Sequence, residues 1–178
     1  MLNTVNVIFS SSFLDYPDPS SHSVVAYLMG CDNNCKGCHN YRFKERIFYD
    51  DDIKAYDVHD FIKESKKHML DNRTDKLVLS GGDPLSSFNM DFTKELLNNR
   101  SFCSNYDICI YTGHDINYVK QNDLPNTFKF IKAGLYDENL SQKSKKTSEK
   151  FVLASKNQEF YNNRYELLSV SGVFFFKS

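Results

Sequence analysis

Cys31, Cys35 and Cys38 fall within eight residues, in the segment Gly30-Cys-Asp-Asn-Asn-Cys-Lys-Gly-Cys-His-Asn40. Three thiolates on so short a loop can wrap one face of a metal cluster, and soft sulfur ligands select zinc or iron–sulfur. Neighbours this close make poor disulfide staples, and the five cysteines of the chain are an odd number. Metal or redox chemistry is therefore the stronger reading. Structural zinc takes four ligands, commonly as two separated pairs. A 4Fe-4S cluster usually takes four cysteines, so a set of three leaves one iron open to bind and activate something. On spacing alone, zinc completed by His39 or by a distant residue stays open. Gly37 lets the backbone fold tightly over the bound group, where amides can donate to sulfur. Cys103 and Cys109 read instead as small buried hydrophobes.

The elements that must position this loop follow from apolar periodicity. Strand-like runs are Val5–Phe9, Ser23–Met29, Lys76–Ser80, Asp107–Thr112 and Thr127–Ala133. Between them Val58, Phe61, Ile62 and Met69 keep helical spacing, as do Phe88, Phe92 and Leu96, with a weaker helix over His114–Gln121. The alternation predicts βα units and a mostly parallel sheet. Of seven glycines, four (Gly30, Gly81, Gly113 and Gly134) stand just beyond strand-like runs. Ligands of parallel α/β folds bind at strand carboxyl ends, so these positions predict one shared site along that edge. Asp50–Asp52 reads as a solvated turn, Asn139–Lys150 as a mobile surface loop, and Val173–Phe176 as a late edge strand or core-capping tail.

Composition excludes several classes. A net charge of −1 gives no electrostatic case for nucleic acid, which wants a basic face. Met1–Ser10 lacks a basic leader, and no apolar run approaches a membrane span, so the chain reads as cytoplasmic. His22, His59, His68 and His114 are scattered as surface residues would be, and no acid–base constellation stands out. At 178 residues the chain suits one domain and is too short for a full eight-unit barrel, which takes about 250 residues.

The cysteine spacing, followed by His39-Asn40 and later by Ser80-Gly81-Gly82-Asp83-Pro84-Leu85, resembles the radical S-adenosylmethionine (SAM) superfamily. Within it, the resemblance is to the glycyl-radical activating branch, and most of all to the activases of anaerobic ribonucleoside-triphosphate reductase. Asp15-Tyr16-Pro17, Tyr111-Thr112-Gly113, Lys132-Ala-Gly134-Leu-Tyr136 and Ser155-Lys-Asn157-Gln158-Glu-Phe-Tyr161 match that branch in order, over residues 5–161. Asp18 departs from it, standing where the branch has glycine.

The resemblance implies an α/β fold, a partial (βα) barrel with an open side. It would be a single domain over 1–178, with its core at 5–161 and a C-terminal extension at 162–178. It implies a 4Fe-4S cluster on Cys31, Cys35 and Cys38, with SAM chelated at the open iron. Reductive cleavage of SAM would yield a 5′-deoxyadenosyl radical that takes hydrogen from a glycine of the partner. Gly37, Cys38 and His39 would line the adenine side of SAM, and Gly81, Gly82 and Asp83 its amino end. Tyr111 and Thr112 would be lesser contacts, Tyr111 more simply a packing residue. Asn157 and Gln158 would hold an incoming peptide or cap a helix. Partners would be the glycyl-radical subunit of the reductase and a one-electron donor such as a flavodoxin or ferredoxin. Activation of another glycyl-radical enzyme or action on a small molecule are alternatives within the superfamily. A zinc-binding interaction module is the alternative from another class.

Overall fold

The computed structural model describes residues 3–20, 22–46 and 51–176. Asp50 and Lys177, each part of a segment read above, lie outside the described residues. A seven-stranded sheet carries the fold. Its strands are β1 (Val5–Ser12), β2 (Ser23–Leu28), β3 (Lys54–Tyr56), β4 (Lys76–Gly81), β5 (Asp107–Tyr111), β6 (Phe130–Ala133) and β9 (Glu159–Asn162), in the order β3-β1-β2-β4-β5-β6-β9. The middle of the sheet is parallel, from β2 through β4 and β5 to β6. Both flanks are antiparallel, β1 and β3 on one side and β9 on the other. The expected parallel sheet is its centre; of the antiparallel flanks only β1 had been read from sequence as a strand-like run, Val5–Phe9.

Helices α1 (Val58–Asp71), α2 (Met90–Asn98), α3 (Arg100–Cys103) and α4 (Ile116–Gln121) follow the strands. The Asp57 side chain caps α1 by accepting from Asp60 N at 2.9 Å, and Asp115 caps α4 in the same way. Phe88, read above as a helical position, precedes α2 and is 43% exposed.

The parallel strands are buried on both faces, and their side chains divide by alternation. Val24, Ala26, Leu77, Leu79, Ile108 and Ile110 pack against Phe61, Met69 and Phe92 of the helices. The intervening residues on the other face, Val25, Val78 and Cys109, pack with Tyr16, Phe151 and Phe160. Further along the same alternation, Tyr27, Ser80, Tyr111 and Lys132 reach a cavity at the strand carboxyl ends. Cys109 is fully buried within β5, as a small hydrophobe should be.

A second sheet covers that face, with order β10-β11-β8-β7 for β7 (Lys145–Lys146), β8 (Lys150–Val152), β10 (Ser169–Val170) and β11 (Val173–Phe175). Residues 139–150, expected as a mobile loop, instead supply a short 3-10 turn at Glu138–Leu140 and then β7. The reason is distant in sequence: β11 pairs β8, and Leu153 N donates to Gly172 O at 2.8 Å. Because β11 has partners on both sides, it is an interior strand, while Phe174 caps the aromatic cluster as expected. Asp18 needs no glycine: its carboxylate accepts from Ser20 N at 3.0 Å, and its φ is not positive.

A β-carbon on Gly82 would stand 2.4 Å from Gly30 O and 2.5 Å from Phe43 O, both backbone atoms. Gly82→Ala is therefore expected to destabilise the fold by about 3 kcal/mol, read as a lower urea midpoint. An unchanged midpoint would show that this crossing is loose.

Candidate functional site

The cysteine loop leaves β2 under tight backbone control. Gly30 N donates to Phe43 O and Cys31 N to Lys44 O, both at 2.9 Å. From the neighbouring strand, Gly82 N donates to Leu28 O at 2.8 Å and Asp83 N to Gly30 O at 2.9 Å. The buried Asn89 amide reaches Met29 O, Gly30 O and Asp83 O. Gly81 takes a φ of +108°, and a β-carbon there would meet Leu28 backbone at 2.5 Å. The glycine pair is thus required first by the close crossing of two backbones.

Asp83 ties three segments together. Its Oδ2 accepts from Asn33 Nδ2 at 3.0 Å, Thr112 Oγ1 at 3.0 Å and Gly113 N at 2.8 Å; its Oδ1 accepts from Leu85 N at 2.8 Å. Burial pushes the carboxyl above the ordinary carboxylate range, against the pull of Leu85 N, Gly113 N, His114 and Thr112. At 1% exposure its oxygens hold these segments together in the wall of the cavity at the strand carboxyl ends. Thr112 stands beside it in the same wall, its hydroxyl donating to Asp83 and accepting from His114 N at 3.1 Å.

Cys31, Cys35, Cys38, His39, Gly81 and Gly82 line one cavity of about 330 Å³, with Asp83 and Thr112 in its wall. This volume lies within the range that holds small cofactors. The glycines read from sequence as marking a shared edge converge here, for Gly113 and Gly134 line the same cavity and Gly30 anchors the loop. The His39 ring lies 5.2 Å from that of Tyr136, forming an aromatic pair on the wall. Gly37, with φ +71°, belongs to a second cavity of about 390 Å³ that shares the three cysteines.

Asn33 N donates to Cys31 Sγ at 3.4 Å. Burial pushes the Cys31 thiol up to about 11. A soft cation that displaces this proton would be held strongly, and three thiols without a fourth protein sulfur suit an iron–sulfur cluster better than closed zinc coordination.

Several wall residues were given no role by the sequence reading. Lys132 is the most telling. Its Nζ lies 4.8 Å from the centre of the Tyr111 ring, and it makes no ion pair among the described residues. Burial holds its ammonium below the usual lysine range, opposed by Asp83, Cys109, Cys35 and Asp15. Two clues to it were present in the sequence, its alternation with Ile131 and Ala133 and its place in the run Lys132-Ala-Gly134-Leu-Tyr136. Tyr111 combines packing with the cavity, donating its hydroxyl to Asp15 O.

His114 is not a surface residue. It stacks on Tyr118 at 3.8 Å, with Nε2 buried 3.4 Å from Asp32 Oδ1. Asn157 and Gln158 are spent internally: Asn157 Nδ2 donates to Leu135 O, Gln158 Nε2 to Gly134 O, and Ser155 donates to both side chains. They build the turn before β9 and cap no helix; Asn157 is exposed, and Gln158 lines the cavity.

The 4Fe-4S single cluster domain family matches residues 21–161. The anaerobic ribonucleoside-triphosphate reductase-activating protein of Enterobacteria phage T4 is 26% identical over 150 residues, covering 84% of this chain and 89% of the phage protein. The protein of the same name from Haemophilus influenzae is 28% identical over 94 residues, 51% of this chain and 57% of its own length. Among solved structures, QueE from Escherichia coli aligns over 62% of this chain and 53% of its own, with a TM-score of 0.45 and 15% identity. No helix of the described residues is long and apolar enough to cross a membrane.

Asp83→Asn turns an amide toward donors that need an acceptor. It should cost about 1–3 kcal/mol in thermal unfolding and lower the iron bound on reconstitution. Full iron loading with unchanged stability would show that the cysteine loop holds itself.

Proposed function

Because the chain belongs to the 4Fe-4S single cluster domain family, we propose that it is a radical SAM activase that installs a glycyl radical on anaerobic ribonucleoside-triphosphate reductase. The single observation that carries this reading is one cavity holding three cysteines of a set one ligand short, beside an ammonium group lacking a carboxylate partner. Both curated relatives described above bear the name of that activating protein, which supports the partner. The whole chain is read as one radical SAM domain, and its open curved sheet as the partial barrel.

Cys31, Cys35 and Cys38 would hold the cluster, and Gly37 would let the loop close over it. When bound, the cluster supplies the electron that breaks SAM. Every other task falls to the chain itself. Lys132 offers a fixed cation to the SAM carboxylate, in surroundings where burial strengthens the attraction. Gly81 and Gly82 present backbone to the amino end, a contact in which no side chain intervenes. His39 and Tyr136 offer flat rings to the adenine. Tyr27, Tyr111, Phe151 and Leu153 line the cavity and exclude water from a reactive species. Leu14, 53% exposed on the cavity lip, gives the incoming glycine segment an apolar edge.

Anaerobic reconstitution should give a brown protein with about four irons per chain. With dithionite it should cleave SAM, and with the reductase it should give a glycyl-radical doublet in electron paramagnetic resonance. Alanine at Cys31, Cys35 or Cys38 should abolish all three. A colourless zinc protein would end the reading; SAM cleavage without the doublet would redirect it to another glycyl-radical enzyme or a small molecule. Lys132→Met should leave iron content and folding stability intact while weakening SAM binding roughly tenfold, about 1.4 kcal/mol. Equal SAM affinity in the two proteins would remove Lys132 from the site.

A further inference from the structure

The three residues between Cys31 and Cys35 are each held through a side chain, and each by a different part of the fold. Asn33 Nδ2 donates to Asp83 Oδ2 at 3.0 Å, and Lys44 Nζ donates to Asn34 Oδ1 at 2.7 Å. Asp32 is held from two sides: its Oδ2 accepts from Ser87 N at 2.8 Å, and its Oδ1 faces His114 Nε2 at 3.4 Å. The arm that carries Cys38 is held less. Lys36 and Gly37 are both exposed, and Lys36 reaches only the half-exposed Glu138.

His114 is the member of this set with no role so far. Its ring stacks on Tyr118 at 3.8 Å with 12° between the planes, and the Tyr118 hydroxyl donates to Leu85 O at 3.4 Å. Its backbone is fixed as well, His114 N donating to Thr112 Oγ1 at 3.1 Å and His114 O accepting from Gly134 N at 2.9 Å. Nε2 is buried and makes no hydrogen bond among the described residues, so the Asp32 carboxylate is the group that compensates it. A ring held this firmly cannot follow Asp32. The attraction between them therefore acts on the loop.

We propose that His114 is a positioning residue of the cysteine centre: stacked on Tyr118, it holds Asp32 and so fixes Cys31 before any metal is bound. The proposal rests on the function proposed above, in which Cys31 is a ligand. Its value there is entropic. A stretch already ordered costs the incoming cluster nothing to fix, whereas each residue left free would cost about 1–2 kcal/mol. Cys31 is thus the settled member of the set, and the arm bearing Cys38 closes against it.

The test begins on the metal-free chain, with the rate at which each cysteine takes an alkylating label, resolved by mass spectrometry. His114→Phe keeps a ring on Tyr118 and removes the nitrogen. It should speed labelling of Cys31 roughly fivefold and leave Cys38 unchanged, as a local opening does. His114→Gln, which returns a donor at similar reach, should restore the slow rate, a rescue that mere filling of space would not give. Asp32→Asn keeps an acceptor for Ser87 N and removes the charge, so it reads the same contact from the loop side even where His114→Phe fails to fold. It should match His114→Phe, and the two together should add nothing further. In the reconstituted protein His114→Phe should alter the electron paramagnetic resonance line shape of the reduced cluster, and His114→Gln should not. Unchanged Cys31 labelling in both single variants would overturn the proposal, as would equal acceleration at Cys31 and Cys38 or additive effects in the double variant. An unmodified protein that takes up no cluster would sink the functional reading instead, and the labelling rates would still decide the role of His114.

Discussion

Donors from Asn33, Leu85, Thr112 and Gly113 converge on the carboxylate of Asp83, deep in the protein. They come from three stretches of backbone: the cysteine loop, the turn after β4, and the end of β5, which gives both Thr112 and Gly113. A buried carboxylate is costly unless its oxygens are satisfied, so the three stretches are held in one relative arrangement or the charge is left exposed to an apolar interior. The backbone crossing of Gly82 with Gly30 and Phe43 adds a steric lock beside this electrostatic one. The cysteines inherit their placement from both.

The two faces of the parallel strands divide the labour. One face is filled by apolar side chains from α1 and α2, and gives the sheet its rigidity. The other begins apolar and turns polar toward the strand carboxyl ends, where Tyr27, Ser80, Tyr111 and Lys132 succeed Val25, Val78, Cys109 and Phe130. A step of two residues along each strand is enough to pass from packing to chemistry, because alternation keeps both on one face. The small sheet of β7, β8, β10 and β11 covers this face with Phe151 and Phe174. That cover includes residues near the C-terminus, which therefore help to wall the cavity although they lie far from the cysteines in sequence.

Much of this was legible in the sequence. Apolar runs located β2, β4, β5 and β6 to within a few residues, because buried parallel strands must be apolar on both faces, and the alternation of Val5, Val7 and Phe9 located β1. The glycines beyond those runs marked the edge on which the site lies. Legibility failed where a residue's partner was distant. Residues 139–150 are polar and read as loop, yet they pair with a strand contributed from residues 173–175. Asn157 and Gln158 carried no sign of the distant partners of their amides, Leu135 O and Gly134 O. His114 looked ordinary until Tyr118 and Asp32 were beside it.

What the sequence determined by itself was local: three cysteines within eight residues, the strands and helices that alternate around them, and the glycines where backbone must turn. These follow from spacing and periodicity, which a short stretch of chain carries alone. The tertiary structure decided which groups remain available for chemistry. Asp83 is drawn into the cavity wall as a pin for three backbone segments, while Lys132, given no role by its motif alone, is left in the same wall with no ion pair among the described residues. Availability depends on which donors and acceptors meet across the fold, and that is settled only when the strand ends are brought side by side.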